Sequence, residues 1–482
     1  MRRLHADLAA VLDAAITAHA QWAVVVRSLD SGELLFARNA NKLMMPASNM
    51  KIVTLAAAAQ VLGWDHRFVT TLETTGSIAN GALDGDLIVR GGGDPTINPR
   101  NGRSAAAFDE WADALKAAGI DRINGHIVGE DDLLDDEGLG AGWAWDYLQF
   151  GYAAPIGALQ YNENVAELSV SPGLSAGAPA VLQLTPGSGL MLLNRAVTTP
   201  PGTPESIELR RHPHRPLLEV SGTVPLPGPA TLPGTPLRTV ARQVAVVNPT
   251  HFFVQSLRHG LISRGIPVTG EAIDADELVP PLPGTMHASR RVLARTESPP
   301  LREIAGVLMK VSQNQYAETL LKSLGTDAEG VGTVQAGRAT VLRVLREWQM
   351  DEQALMLFDG SGLSRYNYLT AELLAKVLER MYLDPRHREP FLASLAVAGQ
   401  EGTVANRLRR TRAQGNARVK TGSISNVRSL SGYLRSRDGE LLVFAMIAND
   451  FNIPAATVNW ITDLAVELLA NFTRDPRLAA RE

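Results

Sequence analysis

Cysteine does not occur anywhere in this chain of 482 residues. Thiol catalysis, thiolate-bound zinc and disulfide bridges are therefore excluded. The compartment stays open, because many exported bacterial proteins also lack cysteine. Aromatic residues are few, at 5%, and scattered, and the net charge is only -4. Nothing in that balance makes an electrostatic case for nucleic acid. No run of 18 or more uninterrupted apolar residues occurs, so no membrane-spanning helix is expected. The opening "MRRLHADLAAVLDAAI" begins with two arginines, but Asp7 and Asp13 break up what would be the apolar core of a signal peptide. It reads as an amphipathic helix, and the chain as given shows no export signal.

What is present suits a soluble globular protein, with 45% hydrophobic and 20% charged residues. The length allows two or three domains. Early on, "QWAVVVRSLDSGELLFARNA" reads as a hairpin turning at "DSG". Near the end, "LSGYLRSRDGELLVFAMIAND" is a second hairpin turning at Asp438-Gly439, followed by a helix, "TVNWITDLAVELLANF". Hairpins at both ends suggest that the two ends build one α/β domain and that the middle is an insertion. Within that middle, "SAAAFDEWADALKAAG" reads as a helix closed by Gly119, and "NPTHFFVQSLRHGLISRG" as another. Short alternating runs among many prolines and glycines mark residues 165–245 as a small β-rich unit.

The stretch "PASNMKIVTLAAAAQVLG" puts Ser48 and Lys51 three residues apart at the mouth of an apolar helix, hence on one face. The ordinary reading makes Ser48 an N-cap and lets Lys51 reach water from the first turn. The chemical reading is stronger because the rest of the chain completes it. A serine hydroxyl needs a base to become a nucleophile. A desolvated lysine, with a second cation nearby, can serve as that base. Ser312 and Asn314 follow in the helical segment "LREIAGVLMKVSQNQYAETLLKSLG". Lys420, Thr421, Gly422 and Ser423 follow on the strand-like "NARVKTGSISNVRSLSGYL". Lys420 offers the second cation, Ser312 a proton relay to the leaving amine, and Asn314 an amide for a substrate backbone. Thr421 and Ser423 offer hydroxyls for a carboxylate. Gly422 leaves room for a substrate along the strand edge.

Ser-x-x-Lys, Ser-x-Asn and Lys-Thr-Gly in this order are the motif set of penicillin-binding proteins and β-lactamases. "PASNMK" at 46–51, "SQNQYAE" at 312–318 and "VKTGS" at 419–423 carry the resemblance. "RGGGDPT" at 90–96, "GWAWD" at 142–146, "DGSGLSR" at 359–365 and "SGYL" at 431–434 make the chain similar to one branch, the low-molecular-mass class C D-Ala-D-Ala carboxypeptidases. The resemblance covers nearly the whole chain. It implies an α/β fold: a β-lactamase-like serine acyl-transferase domain, an antiparallel sheet with helices, built from residues 1–70 and 286–482. A long insertion, 71–285, would comprise a mixed α/β domain (71–164 and 246–285) and the β-rich 165–245. It further implies Ser48 as nucleophile, Lys51, Ser312, Asn314 and Lys420 as its catalytic partners, and an oxyanion hole from the backbone N–H groups of Ser48 and Ser423. Asp146 and Arg365 would meet the charged side-chain end of the substrate's third residue.

Peptidoglycan stem peptides and β-lactam antibiotics are the implied partners, with no metal or cofactor. A periplasmic or cell-envelope location follows from the substrate. Endopeptidase action on cross-links is a further implication. A β-lactamase or esterase on the same scaffold and a non-catalytic peptidoglycan-binding module are the rivals. The first lacks an evident glutamate motif for class A deacylation; the second has no need of all five catalytic residues. Gln313 stands where a common form of the second motif has aspartate. Three weaker signals read as structure. "GEDDLLDDEG" at 129–138 lacks the ligand spacing of a calcium loop and reads as a solvated acidic loop. "RRHPHRP" at 210–216 reads as a surface loop rather than a metal site at His212 and His214. "RGGGDPT" lacks the ending of a phosphate-binding loop and reads as a tight turn.

Overall fold

The computed structural model describes residues 1–228, 239–278, 290–326, 330–475 and 477. Two compact units emerge. One comprises residues 1–66, 140–142 and 299–482, the other 67–139 and 143–298. The boundary expected at 285/286 lies outside the described residues.

The first unit is built on a six-stranded antiparallel sheet in the order Leu34–Arg38, Gln21–Ser28, Leu441–Asn449, Val427–Arg435, Arg418–Ile424 and Ala396–Val397. Both chain ends meet in it, with Gln21 paired to Asn449. Trp22, Val24 and Val26 alternate onto one face. There they join Phe444 and Met446 in a cluster with Leu4, Leu8 and Leu12 of helix Arg2–Leu12 and with Ile461 and Leu469 of helix Ala455–Asn471. Helix Ala371–Leu383 packs on the sheet and on helix Met50–Val61. Cover on both faces explains why strand Leu441–Asn449 is buried at every position and reads as one apolar run.

Helix Met50–Val61 is buried from Met50 to Ala59. A helix buried on all sides belongs inside a protein, and the alanines at 56–59 let its neighbours approach closely. The segment 301–323 departs from the single helix expected. It forms two, Leu301–Lys310 and Asn314–Ser323, broken where Ser312 takes a φ of 64°. The left-handed residue ends the first helix and lets the second restart in a new direction, with the Gln313 side chain accepting from Gln315 N at its N-terminus. This is the structural work done by the residue that replaces aspartate.

In the second unit a five-stranded sheet runs Ala272–Asp274, Ile127–Glu130, Leu87–Arg90, Val69–Thr74, Arg291–Glu297. Helices Arg103–Ala117 and Pro249–Ser263 share a core with it, where Phe108 and Trp111 meet Phe253 and Leu257. Residues 165–245, expected as a small β domain, hold two three-stranded sheets and lie inside this unit. No described helix is long and apolar enough to cross a membrane.

Candidate active site

Ser48 lies in a 3-10 turn, Ala47–Asn49, that feeds directly into helix Met50–Val61. It caps nothing with its side chain. Ala47, just before it, has a φ of 46°, an uncommon backbone for a residue with a Cβ. The surroundings hold that turn in place. Asn449 grips Met45 at both its N–H and its carbonyl, at 2.8 and 3.0 Å. Ser429 Oγ donates to Pro46 O at 2.7 Å, and Asn49 Nδ2 to Lys420 O at 3.0 Å. The first motif is thereby tied to the strand that carries the third.

Lys51 does not reach water: its exposure is 0%. Its Nζ lies 2.9 Å from Ser48 Oγ, 2.6 Å from Asn314 Oδ1 and 2.8 Å from Ser361 O. All three partners are uncharged. Burial pushes its pKa down to about 7, while the carboxylates of Glu318 and Asp359 pull the other way. A neutral amine has two N–H groups and one lone pair. The amide and carbonyl oxygens take the two N–H groups, which leaves the lone pair to the Ser48 hydroxyl. Asn314 was expected to offer an amide donor and an acceptor to a substrate backbone; its oxygen accepts from Lys51.

Lys420 is also fully buried. It donates to Ser312 Oγ at 2.8 Å and to Thr421 O at 2.7 Å. Burial first, and repulsion from Lys51 second, hold its pKa well below the ordinary lysine value. Burial and a second cation were expected to lower Lys51 together: burial is the first cause at Lys51, and the repulsion between the two amines lowers Lys420. The motif residues thus form two hydroxyl–amine pairs, Ser48 with Lys51 and Ser312 with Lys420.

On the strand Arg418–Ile424, Thr421 Oγ1 donates to Thr403 Oγ1 at 2.7 Å, and the Ser423 side chain is exposed. Gly422 is explained differently from the expectation. A methyl there would lie 2.1 Å from Ser429 Oγ, 2.7 Å from Pro46 O and 2.9 Å from Ser48 N. Protein, rather than an open channel, occupies that side. Glycine is needed so that the strand can lie against the nucleophile's turn. Gly362 does the same from the opposite direction, since a methyl there would fall 1.8 Å from Ala47 O.

Arg365 follows in the first unit, half-buried, its guanidinium donating to Ser425 O at 3.1 and 3.2 Å. Asp146 is exposed in the second unit, in the turn Trp145–Tyr147. The acidic stretch 129–138 is less solvated than expected. Asp131 is half-buried, with its oxygen within 4.8 Å of those of Asp274 and Asp276, and burial with those neighbours pushes it up to about 7. His212 and His214 lie between strands Glu208–Arg211 and Leu217–Pro225, with His212 near Glu219.

Motif reading missed the groups behind the first layer. Glu318 had a signal, a lone acid one helical turn beyond Asn314 among buried residues. Asp359 and Ser361 lie in the noted "DGSGLSR", but the atom that matters at Ser361 is a backbone carbonyl. Thr403 had none.

Comparison with known proteins follows the same lines. A D-alanyl-D-alanine carboxypeptidase of Actinomadura sp. (strain R39) is 34% identical over 471 residues, spanning 94% of this chain and 82% of that protein. Penicillin-binding protein 4 of Haemophilus influenzae has the same fold, with a TM-score of 0.81 at 22% identity, covering 97% of this chain and 99% of that one. The same protein has also been solved with a β-lactam bound, at a TM-score of 0.74, 22% identity, and 97% and 98% coverage. Over residues 4–471 the sequence matches the D-Ala-D-Ala carboxypeptidase 3 (S13) family. The chain belongs to that family and is a serine-type carboxypeptidase on the mixed α/β fold of penicillin-binding protein 4.

Proposed function

We propose that the protein removes the terminal D-alanine from peptidoglycan stem peptides through an acyl-enzyme on Ser48, and that it also cleaves D,D cross-links. The observation that carries this reading is the Lys51 amine, fully buried, 2.9 Å from Ser48 Oγ and with both other neighbours fixed as acceptors. Ser48 Oγ attacks the D-Ala-D-Ala carbonyl as its proton passes to Lys51 Nζ. The oxyanion is met by the N–H groups of Ser48 and Ser423. The C–N bond then breaks. Ser312, hydrogen-bonded to Lys420, passes its proton to the departing amine, the proton held by Lys51 replaces it, and D-alanine leaves. Water attacks the ester, its proton is taken up by the same amine system, and Ser48 is restored.

Thr421 and Ser423 meet the terminal carboxylate, and Arg365 serves the charged end of the peptide's third residue. The substrate sets the place of action outside the cytoplasmic membrane. A β-lactam presents the same carbonyl chemistry to Ser48 without a leaving group that can diffuse away. Intact-mass measurement after incubation with penicillin tests the reading: one adduct per chain is expected, mapped to Ser48, and none on Ser48→Ala. An adduct on another residue, or a labelled alanine variant, would overturn it.

A further inference from the structure

Behind Lys51 lie two carboxylates that no step above uses. Glu318 is 3% exposed and Asp359 0%. Buried acids are expensive to maintain without partners, and here each grips the same short turn. Glu318 Oε2 accepts from Gly360 N at 2.9 Å and its Oε1 from Ser361 N at 2.8 Å. Asp359 Oδ1 accepts from Gly362 N at 2.7 Å. That N–H belongs to the same peptide group as the Ser361 carbonyl, which receives Lys51 at 2.8 Å. Glu318 also lies one turn along its helix from Asn314, on the same face. One helix face thus supplies one acceptor of the amine directly and holds the turn that supplies the other.

We propose that Glu318 is a positioning residue, one that aims the Lys51 amine at Ser48 through the Gly360–Ser361 backbone without touching the substrate. The proposal rests on Lys51 acting as the base. With the turn gripped, the Ser361 carbonyl stays on one N–H of the amine and the lone pair keeps its direction. The charged groups around the amine are Glu318, Asp359 and Lys420. Of these Glu318 acts in two ways: it holds the turn, and it raises the proton affinity of Lys51 as a carboxylate, the form favoured by N–H donors on both its oxygens against burial, which pushes its own carboxyl up to about 8. Neither action could be supplied by a neutral side chain of the same shape. A glutamine there has one acceptor for two N–H groups and faces the other with its own N–H.

The test is the rate of acylation by a chromogenic penicillin across pH, on Glu318→Gln and Glu318→Asp, with unfolding measured alongside. The Gln variant should acylate on the order of 10²-fold more slowly, the scale of a misdirected general base. Its rising pH limb should also move to lower pH by about one unit, the effect of losing one nearby opposite charge. The Asp variant keeps the charge but is one methylene short, so its limb should stay in place while its rate falls. If Gln does not fold, the Asp variant carries the test alone. Wild-type rates in either folded variant would overturn the proposal. So would a Gln variant that is merely less stable, with its pH limb unmoved. Lys51→Arg separates the two readings. An active Arg variant sinks the base and this proposal together; an inactive one beside a wild-type Glu318→Gln sinks the proposal alone.

Discussion

Replacing Lys51 with methionine should abolish acylation and yet make the protein more stable at neutral pH. Methionine is similar in length, unbranched and uncharged, so it can fill the same buried slot. The folded protein holds this amine at about 7 against an ordinary value of 10.5. A lysine depressed in the folded state binds its proton more tightly when the chain is unfolded. Wild-type stability therefore falls as pH drops from the unfolded value toward the folded one, and levels off below about 7. At about 1.4 kcal/mol per pH unit, the gap of about 3.5 units amounts to roughly 5 kcal/mol at full development. Methionine removes that burden but withdraws the Lys51 hydrogen bonds from Asn314 Oδ1 and Ser361 O, at about 1–3 kcal/mol together. The balance favours the variant by about 2 kcal/mol at pH 7 and reverses near pH 9, where the remaining burden has fallen to about 2 kcal/mol and equals the cost of those lost hydrogen bonds. Urea unfolding of both proteins at pH 7, 8.5 and 10, followed by tryptophan fluorescence, gives the difference directly. The change in that difference between pH 7 and 10, about 3–4 kcal/mol, does not depend on the cost of the lost hydrogen bonds. A difference that stays flat with pH would mean that the folded protein carries Lys51 as an ammonium, and the argument for a base would fail with it.

Gly422→Ala should lose about 1–3 kcal/mol of stability to overpacking and slow acylation by at least about 10-fold, because the strand and the turn at Ser48 must separate. Urea unfolding and the penicillin rate constant read the two effects, and a normal rate would show that the contact does not set the site. Arg365→Ala should reduce the preference for a donor peptide with a free side-chain ammonium and carboxylate over its acetyl-capped form. The expected loss is about 10- to 100-fold, the size of one charge-assisted contact, with penicillin acylation unchanged. Steady-state rates on the paired peptides decide it, and equal slowing of peptide and penicillin would make the residue a support of the fold.

Much of this architecture could be read before any coordinates. The hairpins at 21–38 and 427–449 carried strand-like apolar runs and the turn signals "DSG" and Asp438-Gly439, so the shared sheet of the two chain ends was foreseeable. Ser48 and Lys51 stood out as polar side chains one turn apart at the mouth of an apolar helix, and Ser312, Asn314 and Lys420 through the motif set that completes the resemblance. The groups that escaped notice did so for physical reasons. The Ser361 carbonyl is a backbone atom and leaves no mark on residue type. The break at Ser312 arises from one left-handed residue within an unbroken helical pattern, and no glycine or proline marks it. Gly422 was noticed but misread. A missing side chain says that something comes close, without saying whether it is a ligand or the chain itself.

The pairing of Gln21–Ser28 with Leu441–Asn449 has a consequence for synthesis. These strands are joined in space but separated by more than four hundred positions, so the first must wait on the ribosome for the last. The unit that ends at residue 298 is complete about 150 residues earlier, or roughly 8–30 s at ordinary elongation rates of about 5–20 residues per second. Its core can form during that interval, while the nascent strands 21–28 and 34–38 have only each other. Their outer edge is an unfilled hydrogen-bonding template, which makes this the period of greatest risk of aggregation. A polypeptide cut short before position 441 would lack the strand that seats Ser48's turn through Asn449. Abortive products would therefore be catalytically silent even though they carry the nucleophile, its base and the Lys-Thr-Gly strand.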